Sequence, residues 1–328
     1  MNSTDTILYI FVFLFSFIAT ALITRLIIPF LKKRAEQPIY TEGPSWHISK
    51  SGTPTMGGIS FLIAVVSALL LSSFYKYLSG DNESAVSILL CALYALANAL
   101  IGITDDMTKL KHKRNAGLSP RAKLILQFAA SAVFLTVRKL LIGEKTELAF
   151  SFGTFEIGIF YYFISLIILV GITNCANLTD GIDGLASSVA FAVGISAFYL
   201  SYRSSASVGF ISSAIIGATI GFLCFNAHPA KIFMGDTGSL FLGALIASVA
   251  FELKNPFIAV LLGGVYVIEG ISVILQVVYF KATKKRLFKM APIHHHLEKC
   301  GWDENKICIC AIVLTLLFCI PLLLLIRL

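Results

Sequence analysis

The residues able to do chemistry in this chain are mainly aspartates. Asp105 and Asp106 are adjacent in "ITDDMTKL", Asp180 and Asp183 stand in "NCANLTDGIDGLA", and Asp236 lies in "KIFMGDTGSLFLG". Adjacent carboxylates repel, and become tolerable when a cation binds or one takes a proton. Mg²⁺ takes oxygen ligands, often one or two carboxylates plus substrate phosphates. Asp236 or the Asp105–Asp106 pair suits such an ion. In a helical turn Asp180 and Asp183 would share one side, as would Asn174 and Asn177. Amides beside carboxylates fit hydrogen bonds to a sugar, ribose or base. Gly181, Gly184, Gly235 and Gly238 permit close backbone approach, and nearby lysines hold phosphates as point charges. Half of the six histidines, His294, His295 and His296, stand in a row in "APIHHHLEKCGW". Neighbours on a helix project about 100° apart, so the three do not converge on one zinc ion. One or two of them are expected to reach a phosphate while another packs.

The elements that position these groups are membrane spans. The 328 residues are 57% hydrophobic and 13% charged, with a mean hydropathy of +0.85. A soluble domain is about 25% charged. Apolar runs long enough to cross a bilayer as helix recur throughout, which predicts an all-α polytopic integral membrane protein. Ten spans are expected, near 7–31, 57–75, 85–104, 122–142, 157–173, 184–202, 207–226, 237–252, 256–280 and 306–327. The first run lacks a preceding Lys or Arg and is too long for a signal core, so it is expected to stay as a span. Without repeats or low-complexity linkers, the chain reads as one membrane domain, 1–328. The segment "TELAFSFGTFEIG" alternates and reads as a small outer β-hairpin near 148–157, turning at Gly153-Thr154. The seven cysteines read as small buried residues, because Cys308 and Cys310 lack zinc-ligand spacing.

Charge sets the orientation. Loops after odd-numbered spans, near 32–56, 105–121, 174–183, 227–236 and 281–305, together with the flanking Lys123 and Lys306, hold 18 of the 26 Lys and Arg residues. The positive-inside rule puts these loops in the cytoplasm and both termini outside. It also accounts for the net charge of +8 without nucleic acid as a partner. An aspartate beside glycine is, taken alone, an ordinary turn or cap. Four loops delivering acids and histidines to one face are harder to explain that way. Carboxylates, a divalent metal and lysines at an apolar boundary suggest phosphoryl chemistry on a lipid.

The set "SGTPTMGG", "ITDDMTKL", "NLTDGIDGLA", "FMGDTGSLFLG" and "APIHHHLE" resembles the phospho-N-acetylmuramoyl-pentapeptide transferases. These form a branch of the polyprenyl-phosphate N-acetylhexosamine-1-phosphate transferase superfamily, and the resemblance runs from the first loop to the ninth. It implies transfer of phospho-MurNAc-pentapeptide from UDP to undecaprenyl phosphate with Mg²⁺, yielding lipid I and UMP. It also implies a homodimer in the bacterial cytoplasmic membrane, with the active site facing the cytoplasm. By motif, Asp105 is the general base beside Asp106, Asp236 binds Mg²⁺, and Lys50 lies near the phosphates. Asn174, Asn177, Asp180 and Asp183 match the nucleoside and sugar pocket. Phe233 matches an aromatic that stacks on uracil, with Lys109 nearby. Lys123 and Gln276 join the substrate contacts, as do His295 and His296, while His294 acts directly. Two rivals make different predictions. A UDP-GlcNAc or teichoic-acid type transferase would share the aspartates. A transporter would carry acids at mid-span, where only Glu269 is so placed.

Overall fold

The computed structural model describes residues 3–35, 50, 52–112, 117–202 and 204–325. Most of the expected 32–56 loop, part of the 105–121 loop and both chain ends lie outside the described residues. Eight helices are long and apolar enough to cross a membrane. They are α1 (Ser3–Lys32), α2 (Gly58–Leu78), α3 (Asn82–His112), α4 (Pro120–Ile142), α5 (Ile159–Thr179), α7 (Ala206–Asn226), α10 (Gly264–Thr283) and α12 (Glu304–Leu325). Between them lie α6 (Leu185–Ser201), α8 (Gly235–Glu252), and the short helices α9 (Ile258–Leu262) and α11 (Ile293–Lys299). The expected ninth span is therefore broken at Gly263, which separates α9 from α10.

Helix α8 is the core. Every residue from Thr237 to Glu252 is buried, as expected of a helix that is apolar all round. Helices α2, α3 and α5 pack on it. In contrast, α1 exposes Ile7, Phe11, Leu14, Ile18, Leu22 and Leu26. An exposed apolar stripe of that length fits a hydrocarbon environment.

Two helix boundaries differ from expectation and matter for the site. Helix α3 runs on to His112, so Asp105, Asp106 and Lys109 lie on a helix rather than in a loop. Nothing in "DDMTKLKH" breaks a helix, and the Asp105–Lys109 ion pair has i,i+4 spacing. Helix α5 continues to Thr179 and carries Asn174 and Asn177 in its last turns. Asp180 is its C-cap and α6 starts only at Leu185, so Asp180 and Asp183 do not share a helical face. The start of α4 is well specified. The Ser119 side chain accepts the Ala122 N–H, and Pro120 sits in the first turn, where its missing N–H costs nothing.

Strands β1 (Glu147–Phe150) and β2 (Gly153–Glu156) form an antiparallel hairpin. Phe150 pairs with Gly153, so the turn is Ser151-Phe152, two residues earlier than the spacing suggested. Nearby, the far end of α8 is tied by a buried charge network. Arg138 of α4 pairs with Glu252 and with Glu144, and donates to the Phe251 carbonyl. Ser207 and Tyr161 donate to the two glutamates. Arg138 and Glu252 are 3% and 6% exposed. Removing one partner of such a pair strands the others, so Arg138→Ala should cost about 3–5 kcal/mol. Thermal unfolding in detergent reads this, with the KM of the surviving fraction unchanged.

Candidate active site

The C-terminal turns of α3 and α5 meet the N-terminal turns of α4 and α8. Three carboxylates gather there: oxygens of Asp105, Asp106 and Asp236 all lie within 4.8 Å of one another. Two lysines face them. Lys123 Nζ is 2.7 Å and Lys109 Nζ 3.1 Å from Asp236 Oδ2, and Lys109 Nζ is 2.7 Å from Asp105 Oδ2. Asn177 donates to Asp236 Oδ1 at 2.9 Å and to Ser239 at 2.8 Å, and accepts from Lys123 at 3.3 Å. Three carboxylates against two ammonium groups leave a formal negative charge at the centre.

The adjacent aspartates differ in what they hold. Asp106 accepts the backbone N–H groups of Asp236 and Thr237 and the Thr237 hydroxyl. It therefore caps α8 from another helix, where a carboxylate also meets the positive end of the helix dipole. Gly235 precedes that turn at φ +73°, and a Cβ there would lie 2.7 Å from Asp106 Oδ2. Asp105 has one oxygen held by the Leu118 N–H at 2.9 Å. Its Oδ2 is buried without a hydrogen bond of good geometry among the described residues, although Lys109 lies close. Asp105 thus keeps one oxygen that no backbone N–H holds and that meets the Lys109 ammonium group.

The donor set fits a hard divalent cation. All three side chains offer oxygen, three carboxylates face two ammonium groups, and buried Asp105 Oδ2 has Lys109 beside it but no hydrogen bond of good geometry among the described residues. Mg²⁺ prefers such ligands, and Asp105 and Asp236 are the residues that would hold it.

A second cluster lies beside the first. Asp183 is 3% exposed. Lys50 Nζ lies 2.7 Å from its Oδ1, while His228 Nδ1 and the Ala230 N–H lie 2.9 and 3.0 Å from its Oδ2. Glu304, in the first turn of α12, pairs with Lys50 at 2.7 Å and accepts the Asp183 N–H at 2.8 Å. Lys50 makes no ion pair with Asp105, Asp106 or Asp236 among the described residues. The first loop docks through its backbone: Phe233 N–H donates to Pro54 O, and Gly57 and Gly58 N–H donate to Phe233 O and Met234 O. A Cβ on Gly57 would lie 2.8 Å from Phe233 O, so the approach needs glycine.

The four residues grouped as one pocket are thus divided. Asn177 joins the carboxylate centre, Asn174 bonds Gln127 one turn deeper, and Asp183 joins Lys50. Asp180 lies between. Burial first, then the charges of Asp236, Asp106 and Asp183, push its pKa up to about 8. At neutral pH it is therefore largely protonated and presents a donor. Gln276 accepts the Phe288 N–H and steadies the loop after α10.

The histidines point three ways. His294 Nδ1 meets Glu269, His295 Nδ1 meets Glu298, and His296 Nδ1 accepts the Lys289 N–H. His228 and Glu304 escaped the sequence reading, and Glu269 stood out there only as an acid at mid-span.

Acids and lysines gathered where membrane-length helices end define a class. Residues 86–254 match the family model described as glycosyl transferase family 4. Residues 50–62 match the phospho-N-acetylmuramoyl-pentapeptide-transferase signature 1. Proteins named phospho-N-acetylmuramoyl-pentapeptide-transferase are similar along most of the chain. The one from Caldicellulosiruptor bescii is 42% identical, covering 98% of this chain and 97% of the relative. That from Clostridium botulinum is 44% identical over 89% of each chain. That from Halalkalibacterium halodurans is 40% identical over 92% of this chain and 93% of its own. The chain belongs to the phospho-N-acetylmuramoyl-pentapeptide-transferase family.

Proposed function

We propose that this protein transfers phospho-N-acetylmuramoyl-pentapeptide from its UDP derivative to undecaprenyl phosphate, giving lipid I and UMP. The observation that carries the reading is the single centre of Asp105, Asp236, Lys109 and Lys123 at the mouth of the bundle. A phosphate oxygen of the lipid attacks the β-phosphate of the nucleotide-sugar, and UMP leaves. Phosphoryl transfer depends mainly on positioning and electrostatics. Asp105, whose Oδ2 is released as Lys109 turns away, removes or steers the proton of the lipid phosphate. Lys109 and Lys123 turn from Asp236 toward the diphosphate. Asp236 and Asp105 would hold Mg²⁺, which when bound would supply positive charge against the charge building on the leaving UMP. Direct attack is favoured over a phosphoryl-Asp236 intermediate, because a carboxylate held by Asn177 and committed to a divalent ion would be a poor free nucleophile. Phe233, Asp180, Asp183 and Lys50 border the nucleoside and sugar.

The same reading makes the chain one membrane domain with ten spans, α6 and α8 included and α9 with α10 as one broken crossing. The Lys and Arg distribution supports outward termini, a cytoplasmic active site and a hairpin on the outer side. It also makes the protein a homodimer of the bacterial cytoplasmic membrane. Organic extraction of the labelled product, with UDP-MurNAc-pentapeptide and UDP-GlcNAc offered side by side, tests the substrate. Lipid-linked label from the muramoyl donor is expected; label from UDP-GlcNAc alone would favour the other transferase branch. Glu304 should act on binding rather than turnover. Glu304→Gln weakens the hold on Lys50 and Asp183, raising KM for the nucleotide-sugar about tenfold. Its kcat is expected to stay near the parent value.

A further inference from the structure

Glu269 is a buried acid within α10, 3% exposed. An ionisable side chain in a membrane helix needs a partner, and by default marks function. Its partner is His294, itself wholly buried, with Nδ1 3.0 Å from Glu269 Oε2. The same oxygen accepts the His294 backbone N–H at 3.3 Å. One carboxylate thus satisfies an open N–H of α11 and orients the first histidine's ring. The other ring nitrogen is different. His294 Nε2 is buried and has no hydrogen-bond partner among the described residues. A methyl group added to Gly181 would overlap it. That nitrogen is therefore aimed at the turn between Asp180 and Asp183.

We propose that Glu269 is a positioning residue for the transfer reaction: it holds a proton on His294 Nδ1 and leaves Nε2 as the nitrogen offered to the phospho-sugar. A carboxylate is an acceptor only, and the hydrogen bond made by one imidazole nitrogen decides which nitrogen serves the substrate. The inference rests on the transferase reading for its substrate, but the Glu269–His294 pair stands on geometry alone.

Two measurements test it on the full-length protein in detergent. The first compares ¹⁵N-histidine spectra of the parent and of His294→Ala, so that the difference reports one ring. It is expected to show the proton on Nδ1, and in Glu269→Gln that signature should mix, because an amide can donate as well as accept. The second is steady-state kinetics. Glu269→Gln should lower kcat about tenfold to hundredfold, with KM for the nucleotide-sugar within about threefold. In the His294→Ala background it should add no further loss, since Glu269 acts through that ring. Gly181→Ala, which displaces Nε2 without touching Glu269, should reproduce the loss and covers the case in which Glu269→Gln does not fold. A difference spectrum with the proton on Nε2 overturns the proposal without any substrate. So does an equal loss from Glu269→Gln with and without His294, which would be structural. If the parent releases no UMP, the functional reading fails instead, and the spectra still decide the pair.

Discussion

Asp236→Asn should lower turnover by about three orders of magnitude while the protein still folds. Asp236 is the point at which every strand of the site meets. It takes Lys123 from α4, Lys109 from α3 and Asn177 from α5, and sits in the first turn of α8. An asparagine keeps the shape and one acceptor oxygen. It loses the charge that balances two lysines and any hold on a divalent ion. The lysines would then face each other without their shared counter-ion, a costly arrangement for partly buried charges. The measurement is UMP release beside the melting temperature in detergent. Near-parental activity would show that the three-carboxylate centre is not the reacting one.

The second large effect should split the adjacent aspartates. Asp105→Asn is expected to lower kcat about 10²- to 10⁴-fold with a smaller loss of melting temperature than Asp106→Ala, because an asparagine keeps the acceptor for the Leu118 N–H and gives up only the ion pair with Lys109. Asp106→Ala should lower stability as well, by about 2 kcal/mol. It removes the acceptor of three hydrogen bonds at the start of α8. Asp106→Asn should recover part of that stability. Equal melting temperatures for Asp105→Asn and Asp106→Ala would refute the division of labour.

Much of this site was readable because acids are rare in apolar sequence. Asp105, Asp106 and Asp236 stand out against their spans, and one-sided basic loops gave them a common face. Helix ends were harder. "DDMTKLKH" and "NCANLT" are polar enough to read as loop, yet α3 and α5 continue through them because Lys109, Lys123 and Asn177 satisfy the acids there. Partners far apart in the chain left no local trace. Lys50 meets Glu304 across 254 residues, and nothing in "GWDENK" distinguishes that glutamate from a first-turn acid that merely favours a helix start. Glu269 was legible as an oddity, an acid at mid-span, but its purpose appears only when α11 brings His294 onto it. The three adjacent histidines meet three different partners, Glu269, Glu298 and the Lys289 N–H, which no local pattern in the run specifies.

The most direct test of the account is UMP release from UDP-MurNAc-pentapeptide, titrated against Mg²⁺ and undecaprenyl phosphate in the same experiment. Release is expected to require both together, vanishing with a chelator and vanishing when the lipid is withheld. A stoichiometric burst of UMP without lipid, leaving labelled phospho-sugar on the protein, would contradict direct attack at this centre. Full release in the presence of a chelator would contradict the assignment of Asp105 and Asp236 to a divalent cation.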